Sequence, residues 1–464
     1  MKNRSRTHAV SDNKKNNNKN NSTDRDLARR IRSGEIKVAV YGLGHVGSPL
    51  ASSWLRAGAH VIGIDNSSEV LENARKGRTH IYEPGVNEAF SKGLKEKRFF
   101  VYGDPLKGSQ DSHFKLICVP VLLTDSFSAD LSAVKQVTSA IGQGLKKGDV
   151  VSLNPSVPPG TSEDIVLPIL EEQSGLKVER DFYMVYNPER IYEGRAIEDI
   201  EERYPAIVAG AGAESLEIGA KLYSLVAKKG VIKMGNIRTA EAEKLLEGVY
   251  RDVNIALANE MAKFCEKAGV DFWEARGAAN SQPFCHIHKP GVGVGGACIP
   301  VYPQFILHTA KKSGVECRTI SLGRSVNDSM PAYCVEQAMK LIDRSDISKC
   351  TVALLGLGFR GGVSDTRLSP TYKVIEELKK LKVKAIRVHD PLVRRDPNLP
   401  PDIMLTSDLS AVAKNADLVM LISDHPEYHN ITSKDLNSAR VYDGRGILDV
   451  SQFAASRFAS IGRP

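Results

Sequence analysis

The chain has 464 residues, 42% of them hydrophobic, 25% charged and 6% aromatic. That length suits two to four domains with real cores, and the ordinary apolar fraction excludes disorder throughout as well as collagen-like or coiled-coil composition. No run of 18 apolar residues exists, so no membrane span is expected, and the start of the sequence carries no apolar stretch of the kind a secretory signal needs.

The net charge of +8 points less to nucleic acid than it first suggests. Residues 1–33 hold ten Lys/Arg and three Asp, a balance of +7, which leaves +1 for everything after them. The near-neutral body argues against a nucleic-acid partner. Residues 1–34 are Asn/Lys-rich and poor in apolar groups, so a disordered basic tail is expected there. The seven cysteines are scattered, odd in number and without a CxxC pair. This argues against a disulfide framework or a Cys-rich zinc site, and no metal is expected. A reducing, cytoplasmic compartment follows.

Residues 36–41 (IKVAVY) read as a buried strand that runs into GLGHVG and then a helical stretch to about Ala59. A second strand, His60–Ile64, ends on Asp65. Apolar runs at 115–119, 149–153 and 183–186 alternate with helical patterns, which implies a parallel sheet covered on both faces. From about Thr239 to Asn280 the apolar spacing is helical, reading as one long helix or a helix pair that links domains and offers a dimer face. After Lys349 the alternation restarts, with strands expected in TVALLGLGF, AIRVHDP, ADLVMLISD and RVYDG. The order is α/β, helical, α/β.

Gly42, Gly44 and Gly47 form G-x-G-x-x-G between a strand and a helix, where glycines permit a tight turn, close approach of a pyrophosphate and close helix–strand packing. Asp65 follows Gly47 by 18 residues, at the end of the next strand, where a carboxylate accepts ribose hydroxyls and repels a 2′-phosphate. NAD is therefore the expected dinucleotide. GLGFRG (Gly356, Gly358, Gly361) repeats the string, but a polar, cationic segment follows it rather than a clean helix. That favours a second phosphate-bearing ligand over a second NAD. In PGVGVGGACIPVYP (290–303), Gly291, Gly293, Gly295 and Gly296 frame Cys298 in a loop able to lie close against a ligand. A cysteine beside an NAD site suits oxidation past the aldehyde: a thiolate adds to the aldehyde, hydride leaves, and a thioester is hydrolysed.

These motifs resemble the UDP-glucose/GDP-mannose dehydrogenase family over about residues 36–450, through GLGHVGSPLA, IGIDNSSEV, EPGVNEAF, CVP, PSVPPGT, YNPERIYEG, AEAEKLLEGVYRDVNIALANE, GVGGACIPV, GLGFRGGVSDTRLSP and YDGRGIL. The resemblance implies an N-terminal Rossmann domain (35–235), a long central helix domain for dimerisation that carries the cysteine loop (236–340) and a C-terminal Rossmann-like UDP-binding domain (341–464). It implies four-electron oxidation of C6 of a nucleotide-linked sugar with NAD. Cys298 would be the nucleophile, Lys244 the oxyanion partner, Glu193 the base or water-positioning group, and Ser156 a further catalytic hydroxyl. Gly42, Gly44, Val46, Gly47, Asp65, Val121, Ser156 and Arg367 would face the cofactor. Glu189, Arg190, Ile191, Lys244, Arg251, Gly295, Phe359, Arg360 and Arg445 would face the substrate, the arginines as forks for phosphate.

The sequence departs from the family pattern at several points. Tyr302 stands where the family has Asp four residues after the cysteine, and Gly248 where it has Asn four residues after the lysine. Ser156 and Val121 each replace a Thr, and Gln282 and Phe284 take the places of a His and an Arg that precede the glycine loop among the N-acetylhexosamine members, with His286 and His288 nearby as possible substitutes. CIPV and RDVNIALANE lean toward a UDP-N-acetylhexosamine branch such as UDP-N-acetylmannosamine, with UDP-glucose as runner-up. Two further readings stay open: a single-step dehydrogenase that does not need Cys298, and a non-catalytic NAD- and nucleotide-binding protein.

Overall fold

The computed structural model describes residues 25–342 and 344–464. The chain divides into two compact units between Lys244 and Leu245. The expected disordered tail ends sooner than residue 34. Residues 25–32 form a helix, and Ile31 is buried. Leu27 and Ile31, one turn apart, pack with Ile36 on the core of the first unit, and Arg30 pairs with Glu35 at 2.5 Å. The remainder of the expected tail, residues 1–24, lies outside the described residues.

The first unit is built on an eight-stranded sheet. Its strands are β1 (Lys37–Tyr41), β2 (His60–Ile64), β3 (Phe99–Tyr102), β4 (Phe114–Ile117), β7 (Val150–Leu153), β8 (Tyr183–Tyr186), β9 (Ala206–Gly210) and β10 (Val231–Met234). Two short strands, β5 (Leu122–Leu123) and β6 (Ala129–Asp130), form a separate antiparallel ribbon. The main sheet runs β10-β9-β8-β7-β4-β1-β2-β3. Its apolar strands are sandwiched between helices, with one core on each face. The sheet is parallel as expected, except that β9 pairs antiparallel with β8. Antiparallel neighbours need no crossover helix, and the connection carries only the short helical pieces Ala196–Glu198 and Asp199–Arg203. Strand order reverses beside β1: β2 lies on one side of it and β4 on the other, so loops leaving the carboxyl ends of β1 and β4 diverge and leave a crevice.

In the second unit the central helices and a six-stranded parallel sheet form one body. The sheet runs β13-β12-β11-β14-β15-β16, with β11 at Thr351–Leu355, β12 at Ala385–His389, β13 at Met404–Thr406, β14 at Leu418–Leu421, β15 at Arg440–Asp443 and β16 at Phe458–Ser460. Ala258, Ala262, Met330, Cys334 and Ala338 from the helices share a core with Val352, Leu354, Met420 and Tyr442 from the sheet. Part of the helical segment therefore shares its core with the sheet. Of the two arrangements open for residues 239–280, the helix pair is found. One helix runs Ile237–Ala268, about 48 Å long at the usual rise, and a second runs Phe272–Ala279. Gly269 (φ +72°) breaks the run, and Asp271 caps the second helix through the N–H groups of Trp273 and Glu274.

One ion pair in the first unit is wholly enclosed. Lys115 on β4 meets Asp149 at 2.6 Å, with side chains 0% and 1% exposed. Burial lowers the Lys115 pKa to about 8 despite its partner. Removing one member strands the other charge, so Asp149→Ala is expected to destabilise the fold by about 3–5 kcal/mol, whereas Lys115→Met with Asp149→Leu restores most of it. Urea denaturation midpoints of the three proteins check this.

Candidate active site

The first glycine string makes a tight turn at the carboxyl end of β1. Gly42 lies at φ +92°, in the left-handed region. Gly47 starts the helix Gly47–Arg56, and a Cβ there would meet the Gly42 carbonyl oxygen at 1.8 Å, so only glycine allows this turn to close on its helix. Gly44 differs, because a Cβ at that position would have nothing within 4 Å. Asp65, half-buried at the end of β2, accepts the Leu43 N–H at 2.8 Å and the Ser67 N–H at 2.9 Å. The turn is thus held from the neighbouring strand while its middle faces open space at a helix N-terminus. That arrangement fits a dinucleotide pyrophosphate with a ribose beside Asp65.

Further expected residues line the same edge of this sheet. Val121 follows β4 and Ser156 follows β7. The Ser156 loop is fastened by buried Glu241, whose carboxylate accepts the N–H groups of Gly160 (2.5 Å) and Ser162 (2.8 Å). After β8, Glu189, Arg190 and Ile191 line a cavity of about 30 Å³ with Asn187, Tyr204 and Tyr223. Burial raises the Glu189 pKa to about 7, against the opposing charges of Lys244 and Arg190, so these three expected residues share one electrostatic environment. Arg190 itself donates to the Pro205 carbonyl at 2.5 Å and lies over the Tyr204 ring.

Sequence reasoning assigned no role to Glu83, although EPGVNEAF contains it. Its buried carboxylate accepts the N–H groups of Gly194 (2.8 Å) and Ala196 (2.7 Å) and so anchors the loop that carries Glu193. A network beneath Glu189 was equally hidden. Asn154 Nδ2 donates to Asn187 Oδ1 at 3.0 Å and to the Tyr223 hydroxyl at 2.9 Å, and Asn187 donates to the Ile207 carbonyl at 2.7 Å.

The second glycine string occupies the equivalent turn after β11 in the second unit, and its electrostatics are opposite in consequence. Asp390, fully buried at the end of β12, accepts the N–H groups of Leu357 and Gly358, both at 2.8 Å, and those of Leu392 and Val393. Gly362 donates to His425 Nδ1 at 3.3 Å, and His425 Nε2 lies 3.3 Å from Asp390. Burial works against the Asp390 charge, but His425 and these N–H groups hold its pKa down at about 2. The turn is also packed shut: a Cβ at Gly358 would meet the Val363 carbonyl oxygen at 2.7 Å, and one at Gly361 the Asp424 carbonyl oxygen at 2.0 Å. Asp390 has no capacity left for a ribose, and the middle of the turn is not open as at Gly44.

The cysteine loop lies against that second turn. A Cβ at Gly295 would meet the Leu368 carbonyl oxygen at 2.6 Å and Phe359 Cβ at 2.9 Å, and one at Gly296 (φ +87°) the Phe359 ring at 2.9 Å. The Gly296 N–H donates to the Arg367 carbonyl at 2.8 Å. Gly291 leaves room for the Arg445 guanidinium, which pairs with Asp424 at 3.3 Å. These glycines, expected to lie against a ligand, also allow close packing within the protein. They bring Phe359, Arg367 and Arg445 against the loop. A buried polar chain supports its start: the Gly291 N–H donates to Asn259 Oδ1 (2.9 Å), Asn259 to Asn327 (2.9 Å), and Asn327 to Asp252 (2.8 Å), which also receives Arg324.

Cys298 ends exposed in the turn before the helix Tyr302–Lys312. All seven cysteines are free, and Cys118, Cys265, Cys334 and Cys350 are buried. Arg251 is exposed on the long helix. His286 and His288 sit ring to ring at 5.3 Å, and burial with nearby cations lowers the His288 pKa to about 4.

Comparison with known proteins accords with this geometry. The NAD-binding domain of the UDP-glucose/GDP-mannose dehydrogenase family matches residues 36–227, its central domain residues 238–329 and its UDP-binding domain residues 353–450. The chain belongs to that family and is an NAD-dependent nucleotide-sugar dehydrogenase. It is 33% identical over 420 residues to UDP-N-acetyl-D-mannosamine dehydrogenase of Pyrococcus horikoshii, covering 89% of this chain and 96% of the relative. A solved structure of UDP-D-ManNAc dehydrogenase from Pyrococcus horikoshii superposes with TM-score 0.84 at 32% identity, covering 92% of this chain and 99% of the other. A UDP-glucose dehydrogenase from Pyrobaculum islandicum superposes with TM-score 0.83 at 25% identity, covering 91% and 98%.

The contrast between Gly44 and Gly47 is testable. Gly44→Ala is expected to leave the melting temperature near wild type while weakening NAD binding about tenfold or more, because its methyl enters the space where the pyrophosphate approaches. Gly47→Ala forces the turn off its helix and lowers the melting temperature by several degrees. Thermal denaturation alongside NAD titration by fluorescence separates the two.

Proposed function

We propose that this protein oxidises C6 of a UDP-N-acetylhexosamine such as UDP-N-acetylmannosamine to the uronic acid, supplying a precursor for polysaccharide or glycan synthesis in the cytoplasm. The observation that carries the mechanism is Cys298: an exposed thiol at the end of a glycine loop clamped to Phe359 and Arg367. The names of the relatives support the sugar, and seven free cysteines suit a reducing compartment.

Gly42, Gly44, Val46, Gly47 and Asp65 hold the cofactor in this reading, with Val121, Ser156 and Arg367 around it. NAD, when bound, accepts a hydride in each oxidation. Phe359, Arg360 and Arg445 hold the nucleotide, while Glu189, Arg190, Ile191, Arg251 and Gly295 hold the sugar. After the alcohol has become an aldehyde, the Cys298 thiolate adds to C6. A C–S bond forms, and the carbonyl electron pair moves onto oxygen, where Lys244 stabilises it. Loss of hydride from that carbon leaves a thioester. Water positioned by Glu193 attacks it, the C–S bond breaks, and the acid and the thiolate are released. The sum is one alcohol, two NAD+ and one water giving one carboxylate, two NADH and three protons.

The test is the yield of NADH per UDP-sugar consumed, measured on a panel of UDP-N-acetylmannosamine, UDP-N-acetylglucosamine and UDP-glucose. Two NADH per UDP-N-acetylmannosamine are expected, with Cys298→Ser stalling. One NADH per sugar in both proteins would show a single-step dehydrogenase, and none with binding intact would show a non-catalytic protein. Fastest turnover with UDP-glucose would move the substrate to that sugar.

A second copy of the chain is the proposed partner. Leu246, Tyr250, Leu257 and Phe264 recur at helical spacing on the long helix and are 46–68% exposed, and Leu322 on the helix Arg318–Met339 is 62% exposed. An apolar stripe of this kind calls for a covering partner. Leu257→Glu with Phe264→Glu is expected to give monomers at micromolar concentration where the wild type sediments as a dimer.

A further inference from the structure

Gly248 occupies the interior of the helix Ile237–Ala268, far from either end. Glycine is a poor choice there, since alanine forms helix better and leaves the unfolded chain less freedom. Space supplies the reason. A Cβ at Gly248 would lie 2.4 Å from Tyr302 Cδ2 and 3.2 Å from Tyr302 Cβ and Cγ. The near edge of the ring and the root of the side chain press on the helix, so the contact is not a flexible tip that could swing away. Tyr302 is buried, with 7% of its surface exposed.

Tyr302 is also the first residue of the helix that follows Cys298. The Cys298 carbonyl accepts the N–H groups of Val301 (3.1 Å) and Tyr302 (3.0 Å), closing residues 298–302 into one turn. On the other side of Cys298, the Gly296 N–H is tied to the Arg367 carbonyl. The exposed thiol therefore lies between two anchors, one on the loop after β11 and one on the long helix. The second exists only because residue 248 has no side chain.

We propose that Gly248 and Tyr302 form a lock that sets the position of the Cys298 turn, with Tyr302 as a positioning residue for the thiol. A side chain at 248 displaces the ring, the ring carries its own N–H with it, and the Cys298 carbonyl follows. The thiol then leaves the place from which it attacks. This consequence for catalysis rests on the reading of Cys298 as the nucleophile.

The experiment is a double-mutant cycle in the full-length enzyme with Gly248→Ala, Tyr302→Ala and the pair combined, and Tyr302→Phe as the conservative variant. Two assays are run: steady-state kcat and KM with UDP-N-acetylmannosamine and NAD, and the rate at which iodoacetamide alkylates Cys298, followed by mass spectrometry. Gly248→Ala is expected to lower kcat about tenfold or more with KM changed less than about twofold, and to shift the alkylation rate about fivefold. Tyr302→Phe, which keeps the ring, should stay within about threefold of wild type in both readings. With the ring already gone in Tyr302→Ala, adding Gly248→Ala should cost less than about a further twofold.

Wild-type kcat and alkylation in Gly248→Ala would overturn the lock, as would an undiminished penalty in the Tyr302→Ala background. If Gly248→Ala does not fold, Tyr302→Leu replaces it. Loss of the ring must then change the alkylation rate, and an unchanged rate overturns the proposal. Cys298→Ser is assayed alongside. Full two-NADH turnover in that variant would refute the nucleophile reading alone, while alkylation still reports on the lock.

Discussion

Each half of this molecule depends on a carboxylate at the end of one strand accepting backbone N–H from a glycine turn at the end of the neighbouring strand. Asp65 does this for the turn after β1 and Asp390 for the turn after β11. The device solves one problem twice. A turn that leaves its N–H groups unpaired near a helix start needs an acceptor, and a carboxylate on the adjacent parallel strand reaches it. The two outcomes diverge because of what else the carboxylate binds. Asp65 is half-buried and carries two N–H partners, whereas Asp390 is enclosed, carries four and faces His425. One turn can take a dinucleotide, and the other is a sealed structural corner.

That sealed corner has its own use. Phe359 and the chain around Arg367 form the surface on which the cysteine loop lies, and Gly295 and Gly296 make the approach possible. The chemistry assigned to Cys298 needs a thiol that is accessible yet fixed, and these demands conflict in an ordinary loop. Here close backbone packing supplies the rigidity, the buried Asn259–Asn327–Asp252 chain supports the start of the loop, and the sulfur is left exposed. Gly248 and Tyr302, two separate departures from the family pattern in the sequence, are one contact in space. A bulky ring at one position requires the loss of a side chain at the other.

Much of this was legible beforehand. G-x-G-x-x-G after an apolar run, with Asp65 ending the next strand, pointed to the turn that stays open at Gly44, and the change from strand–helix alternation to helical spacing near Thr239 marked the helices Ile237–Ala268 and Phe272–Ala279. The reading of GLGFRG as something other than a second NAD turn came from the polar residues after it, and Asp390 supplies the physical ground. Less was visible where residues act through the backbone. Glu83, Glu241 and Asn259 hold loops by accepting main-chain N–H groups. Any surface acid or amide looks the same in a sequence, because nothing local records which distant N–H it will meet. The helix at residues 25–32 is masked in the sequence because Leu27, Ala28 and Ile31 lie within a strongly basic stretch.

Local order and chemical class were therefore written in the sequence itself: periodicity selects strand or helix, glycine spacing selects the turns, and the motifs select the family. The tertiary structure alone decided which glycine turn stays open, which glycines serve packing, and that Gly248 answers Tyr302. Those outcomes depend on contacts between residues tens to hundreds of positions apart, where a few tenths of an ångström determine whether a side chain fits.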